Sequence, residues 1–299
     1  MIQGPRSMEN LDILLRYGLP RFFSFFFFLA MVVLGGGCGL FQGGASSLTP
    51  AQQAAMVARR NGGEPDRYGL HSSPVDKVGI YTALATAYLQ GGHPRQCIRE
   101  LRIALRQHGN RAPAYNVLGL AYESLAKQGL AESAFRHALA DNPGNPQIRN
   151  NYGAFLLQQK NYPAAVRELR KATADPLYAT PQFAWTNLAL AYRGMKKEEE
   201  ALGALQRALY FQPGYPPALI LWAEMEYRHG DLASAHGHLQ EALAQEPGDP
   251  QALLLAGKVA FGLGKHHEAK AYWQRCVMAA PYSQSGKAAQ KLLLEHGGT

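Results

Sequence analysis

From residue 78 onward, small and large apolar residues recur at a spacing longer than any single helix or strand. One small-residue column runs Ala104, Ala138, Ala172, Ala208, Ala242 and Cys276, whose positions differ successively by 34, 34, 36, 34 and 34. A second column, Cys97, Ala131, Ala165, Ala201, Ala235 and Ala269, stands seven positions before the first. Between the two lie Leu101, Phe135, Leu169, Leu205, Leu239 and Trp273. Further upstream in each copy, Ala85, Gly119, Gly153, Ala189, Ala223 and Gly257 precede Tyr88, Tyr122, Leu156, Tyr192, Glu226 and Ala260 by three. Intervals of three and seven return to one helix face, so each copy predicts a pair of helices: the small residues permit close approach and the large ones fill the gaps.

The punctuation agrees with the columns. Pro143, Pro213, Pro247 and Pro281 end the second helix of their copies, because proline cannot continue a helix. Gly91 and Gly92 end one helix and Pro94 starts the next, while Gly230 followed by Asp231 supplies a C-cap and then an N-cap. The two extra residues of the longer interval fall in Thr173 to Pro181, a predicted longer loop. Helix pairs repeating at this period are tetratricopeptide repeats. The expected fold is therefore an all-α tetratricopeptide-repeat superhelix, six helix-turn-helix repeats over residues 78–281, followed by a capping helix and tail over 282–299. One copy alone would leave its apolar face exposed; stacking buries it.

The N-terminal region has a different pattern. Phe22 to Leu34 is a continuous apolar run, preceded by Arg6, Arg16 and Arg21. It is short of the roughly 20 residues that cross a bilayer as a helix and suits a signal-peptide core, so residues 1–37 are expected to be removed. Gly35, Gly36 and Gly37 before Cys38 resemble the lipobox of bacterial lipoproteins, although the customary apolar residue is displaced to Leu34. That resemblance implies acylation of Cys38; secretion without lipid is the other reading. Gly39 in place of the aspartate that retains such lipoproteins at the inner membrane implies an outer-membrane anchor facing the periplasm. Residues 38–77, rich in Gly, Ser, Pro, Gln and Ala, are expected to be a tether that holds the repeats about 30 to 35 Å from the lipid.

Composition narrows the classes further. The 299 residues are 47% hydrophobic and 17% charged, with a formal net charge of +8. This fits neither a wholly disordered chain nor a membrane protein of many spans. Three cysteines, Cys38, Cys97 and Cys276, offer neither a disulfide framework nor metal-ligand spacing. Cys97 and Cys276 occupy small-residue columns and read as packed thiols. No GxSxG, Walker loop or HExxH occurs, so no enzyme, cofactor or metal is expected. His229, His236, His238, His266 and His267 form a histidine-rich group, but His236 and His238, two apart, face different sides of a helix and read as surface residues.

Candidate chemistry is confined to recognition. One column of the first helices reads Thr82, Asn116, Asn150, Thr186, Ile220 and Leu254, polar for four repeats and apolar for two. Regularly spaced Asn and Thr can hydrogen-bond the backbone of a peptide lying along a groove, whereas a solvent-facing Asn needs no ligand at all. A neighbouring column reads Leu89, Glu123, Leu157, Arg193, Tyr227 and Phe261. The partner-binding candidates are Thr82, Leu89, Asn116, Leu120, Asn150, Asn151, Leu157 and Thr186. Arg95, Arg99, Arg102 and Arg106 form a stripe on one helix face that either meets anionic lipid or an acidic partner, or is simply solvated. Nucleic acid and small-molecule substrates are not expected.

In the third copy, the run Asn150-Asn151-Tyr152-Gly153-Ala154-Phe155-Leu156, followed by Gln159, Lys160, Asn161 and Tyr162, resembles the type IV pilus biogenesis and stability lipoproteins (PilF/PilW), the pilotins of the pilus secretin. The insert Ala172 to Tyr178 and then Trp185, Asn187, Leu188 and Leu190 are similar to the same family's next segment. The resemblance implies a non-catalytic lipoprotein that binds secretin subunits and promotes their outer-membrane localisation and multimerisation. A general periplasmic adaptor for envelope proteases or cell-wall enzymes is the alternative.

Overall fold

The computed structural model describes residues 76–296. The signal segment, Cys38 and the tether up to residue 75 lie outside the described residues. Among the described residues there are thirteen α-helices and no strand. They are α1 Lys77–Gln90, α2 Pro94–Ala104, α3 Ala112–Ser124, α4 Gln128–Asp141, α5 Pro146–Gln158, α6 Tyr162–Thr173 and α7 Pro181–Gly194. The remainder are α8 Glu198–Phe211, α9 Pro216–His229, α10 Leu232–Gln245, α11 Pro250–Gly262, α12 His266–Ala279 and α13 Gln284–His296. None of these is long and apolar enough to cross a membrane.

Helix starts follow from capping chemistry. Asp76 accepts from the Gly79 amide at 2.9 Å, Asn145 from Ile148 at 3.0 Å, and Asp231 from Ser234 at 3.1 Å, each satisfying an amide that has no partner within its helix. Proline opens α2, α5, α7, α9 and α11, where its missing N–H is not needed. A left-handed residue forms the tight turn within each predicted copy: Gly92, Ala126, Lys160, Lys196, Gly230 and Gly264 all have positive φ. Three of these are not glycine.

The helices divide into two compact units, one ending at Gln159 and one starting at Lys160. In the first, α1 packs on α2 and α3 on α4, while α3 also lies against α1 and α5. The first helices of successive copies are thus neighbours. Its core gathers Val78, Ala85, Cys97, Leu101, Ala104, Ala114, Val117 and Ala121, all buried. Next to α5 the large residues are aromatic: Phe135 sits 5.8 Å from Tyr152 and 5.5 Å from Phe155, centroid to centroid.

In the second unit, α6 packs on α7, α7 on α8, α9 on α10 and α11 on α12. Its core centres on Leu219, Ala223, Leu239, Ala242, Leu253, Ala256, Ala269, Trp273 and Cys276. The last helix, α13, packs against α11 and α12 and buries Ala289 in this cluster. The loop between α6 and α7 is the predicted long one, residues 174–180, within which Tyr178 is buried and Leu177 is exposed.

Candidate groove of the first helices

Within the first unit, α1, α3 and α5 carry most of the expected partner-binding residues. Leu89, Asn116 and Leu120 are half-buried and reachable from solvent. Thr82, Asn150, Asn151 and Leu157 are buried. Thr82 donates its hydroxyl to the Val78 carbonyl at 2.7 Å, one turn back in its own helix. Thr186, in the second unit, does the same to Gln182 at 2.9 Å and is also buried. These two threonines therefore already have an acceptor within their own helices.

The asparagines are linked across helices. Asn151 of α5 donates from Nδ2 to Asn116 Oδ1 of α3 at 3.1 Å, and Gln147 donates from Nε2 to Asn151 Oδ1 at 3.1 Å. This chain of amides bridges two neighbouring first helices and fixes Asn116 beside Leu120, one turn further along α3. An amide has two donors and two acceptor sites, so the half-buried Asn116 retains capacity for a peptide group.

Two residues that sequence reasoning did not select complete this face. Glu123, seven residues after Asn116, is bonded to Gln158, seven residues after Asn151. Burial pushes the Glu123 carboxyl up to about 7, a rise that the Gln158 bond opposes. Its Oε1 is buried and has no hydrogen-bond partner among the described residues. The equal interval of seven was visible in the sequence, but the pairing between copies was not.

In the second unit, the column of Glu123 holds Arg193, which forms an ion pair with a residue in the column of Leu120. Arg193 Nη1 of α7 meets Glu224 Oε2 of α9 at 2.5 Å, with both side chains mostly buried. Ile220 is buried and Leu254 half-buried, so the apolar end of the polar column lies in this unit.

Other candidates are separated by the fold. Arg95, Arg99, Arg102 and Arg106 are all exposed along α2 and just beyond it, and Arg99 pairs with the buried Glu100 at 3.0 Å. His238 contacts Glu226 of α9 at 2.8 Å, whereas His236 faces Lys265 and Glu268 near α12. Two residues apart in α10, they meet different neighbours. Among the described residues, no three histidine, cysteine, aspartate or glutamate side chains are grouped to hold a metal. Cys97 and Cys276 are buried; the Cys276 thiol donates to the Pro250 carbonyl at 3.2 Å, and desolvation raises the Cys97 thiol to about 12.

Models of the tetratricopeptide repeat match residues 112–145, 184–215 and 250–283, and two further models of that description match 129–176 and 216–259. The chain belongs to the tetratricopeptide-repeat proteins. Within this family it is 31% identical over 155 residues to the type IV pilus assembly protein PilF of Pseudomonas aeruginosa. That match covers 52% of this chain and 62% of the relative's length. The crystal structure of PilW, a type IV pilus biogenesis factor, superposes with a TM-score of 0.64 at 29% identity, covering 73% of this chain and 100% of PilW. Pseudomonas aeruginosa PilF superposes at 0.63 with 28% identity, covering 73% of this chain and 98% of its own. The resemblance to type IV pilus biogenesis proteins read from the Asn150-Asn151-Tyr152-Gly153 run is borne out.

Proposed function

We propose that this chain is an outer-membrane lipoprotein scaffold of type IV pilus biogenesis, anchored through acylated Cys38, whose repeats hold a secretin subunit and promote its multimerisation. The observation that carries this reading is the likeness in sequence and fold to PilF and PilW, which extends over most of the repeats. The half-buried Leu89, Asn116 and Leu120 contact the secretin segment. The buried Thr82, Asn150, Asn151 and Leu157 shape the helices beneath it, and Thr186 does so in the second unit.

The mechanism is one of concentration rather than chemistry. Two or three acyl chains on one cysteine, each worth about 0.8 kcal/mol per buried CH₂, hold the protein at the membrane where a single chain would exchange. A subunit held on such a surface meets others at a far higher effective concentration than one free in the periplasm. No covalent step is involved.

Two experiments test this. Cys38→Ser is expected to move the protein out of the outer-membrane fraction, with loss of secretin multimers; unchanged partition rejects the anchor. Replacing the half-buried Asn116 and Leu120 together by glutamate is expected to abolish secretin capture in a folded protein, and normal capture rejects the groove. If deletion of the gene leaves twitching motility and secretin multimers intact, the pilus reading falls and the general adaptor takes its place.

A further inference from the structure

Glu123 is placed at a cost that its bond to Gln158 offsets in part. It stands in the last turn of α3, where the carbonyl end of the helix carries partial negative charge and disfavours a carboxylate. It is largely removed from water, and its one polar contact among the described residues is a neutral amide, Gln158. Oε1 is left with no donor among the described residues. Burying a polar atom without a partner is disfavoured, and a leucine stands at the equivalent position of both flanking copies, Leu89 and Leu157.

The setting says what would complete it. The bonds Asn116–Asn151 and Glu123–Gln158 both join α3 to α5, and both members of the second are seven residues beyond those of the first. Seven residues are about two turns, or roughly 10 Å, on one face of a helix. Leu120 lies between the two rungs, four after Asn116 and three before Glu123, and is half-buried. The face thus offers in order an amide, an apolar side chain and a half-buried glutamate whose Oε1, itself buried and without a donor among the described residues, is brought to a ligand by a turn of the carboxyl group. An extended chain rising about 3.3 Å per residue spans the interval in about three residues.

We infer that Glu123 is the specificity-determining residue of this face and receives a lysine or arginine side chain from an extended protein segment whose backbone bonds Asn116 and whose apolar side chain rests on Leu120. The incoming cation supplies the missing donor to Oε1 and favours the ionised carboxylate, forming a charge-assisted bond screened from water. Glu123 then selects among segments that the amides alone would accept equally, because a segment without a cation leaves the acid as it is. The inference rests on the secretin reading, to which it adds the chemistry of the bound segment.

The test measures binding of overlapping peptides spanning the secretin subunit to the full chain and to its Glu123→Gln variant by fluorescence anisotropy. The variant is isosteric and keeps the Gln158 contact, and circular dichroism checks its fold. The captured peptide is expected to contain a lysine or arginine and to bind the variant at least about tenfold more weakly. Replacing that cation by glutamine should cause a similar loss on the native chain and little further loss on the variant. Equal affinity for both proteins, or additive losses, overturns the role of Glu123 while leaving secretin capture standing. If no peptide is captured by the native chain, both fall.

Discussion

The ring of Phe135 occupies the space that a side chain at Gly119 would fill: a Cβ there would stand 2.7 Å from the ring edge. Phe135 is fully buried and packed by Tyr152 and Phe155, so it has no room to yield. Gly257 and Trp273, at the same separation in sequence in the second unit, repeat the arrangement. Gly119→Ala is expected to destabilise the protein by about 1 to 2 kcal/mol, overpacking outweighing the gain of about 1 kcal/mol in helix propensity. Gly237→Ala, in the middle of α10 with open space around it, should stabilise by up to about 1 kcal/mol. Urea midpoints of the two variants should move in opposite directions.

Glu123 predicts a dependence of stability on pH. Burial raises its carboxyl from the ordinary value of 4.5 to about 7, so between these values the folded protein binds more protons than the unfolded chain. Stability from this group is complete below about pH 4.5 and is lost as pH rises through about 7. The shift corresponds to roughly 3 kcal/mol at most. Urea unfolding at a series of pH values should show this decline in the native chain and a flatter profile in Glu123→Gln. Identical profiles would mean that the carboxyl is not desolvated.

Cys97 replaces the alanine of its column, and desolvation raises its thiol to about 12. At pH 8 almost none of it is thiolate, the reactive form. Iodoacetamide should therefore leave Cys97 unmodified in the native protein and label it after unfolding, as read by peptide mass spectrometry. Rapid labelling in native buffer would require local opening of the α1–α2 hairpin.

Burial of the small-residue columns was legible in the sequence because an alanine that returns once in every copy has a single physical use, close helix approach. The structure buries Cys97, Ala131, Ala165, Ala201, Ala235 and Ala269 alike. The helix turn at Gly230 and Asp231 was legible for a related reason, since capping acts within a few residues. Polar positions on the first helices were harder to read. A threonine or asparagine column looks the same whether its members reach solvent, bond their own helix as Thr82 does, or bond the next helix as Asn151 does. Only the approach of α5 to α3 separates these cases, and it also strands Glu123 Oε1 beside Gln158.

The inner turns carry a further distinction that composition conceals. Gly92, Gly230 and Gly264 adopt φ of 75°, 83° and 76°, while Ala126, Lys160 and Lys196 hold φ of 55°, 56° and 60° at the equivalent places of the other copies. An L-residue in this left-handed region is disfavoured by about 1 to 2 kcal/mol because its Cβ crowds the following carbonyl. Glycine escapes that crowding but loses about 0.4 to 1 kcal/mol more through the entropy of the unfolded chain. The difference favours glycine, so Ala126→Gly, Lys160→Gly and Lys196→Gly should each stabilise the protein by about 0.5 to 1 kcal/mol. Gly230→Ala should destabilise it by a similar amount. Thermal and urea unfolding of the four variants provides the check. Loss of stability in all three glycine variants would show that these side chains make contacts worth more than the backbone strain they impose.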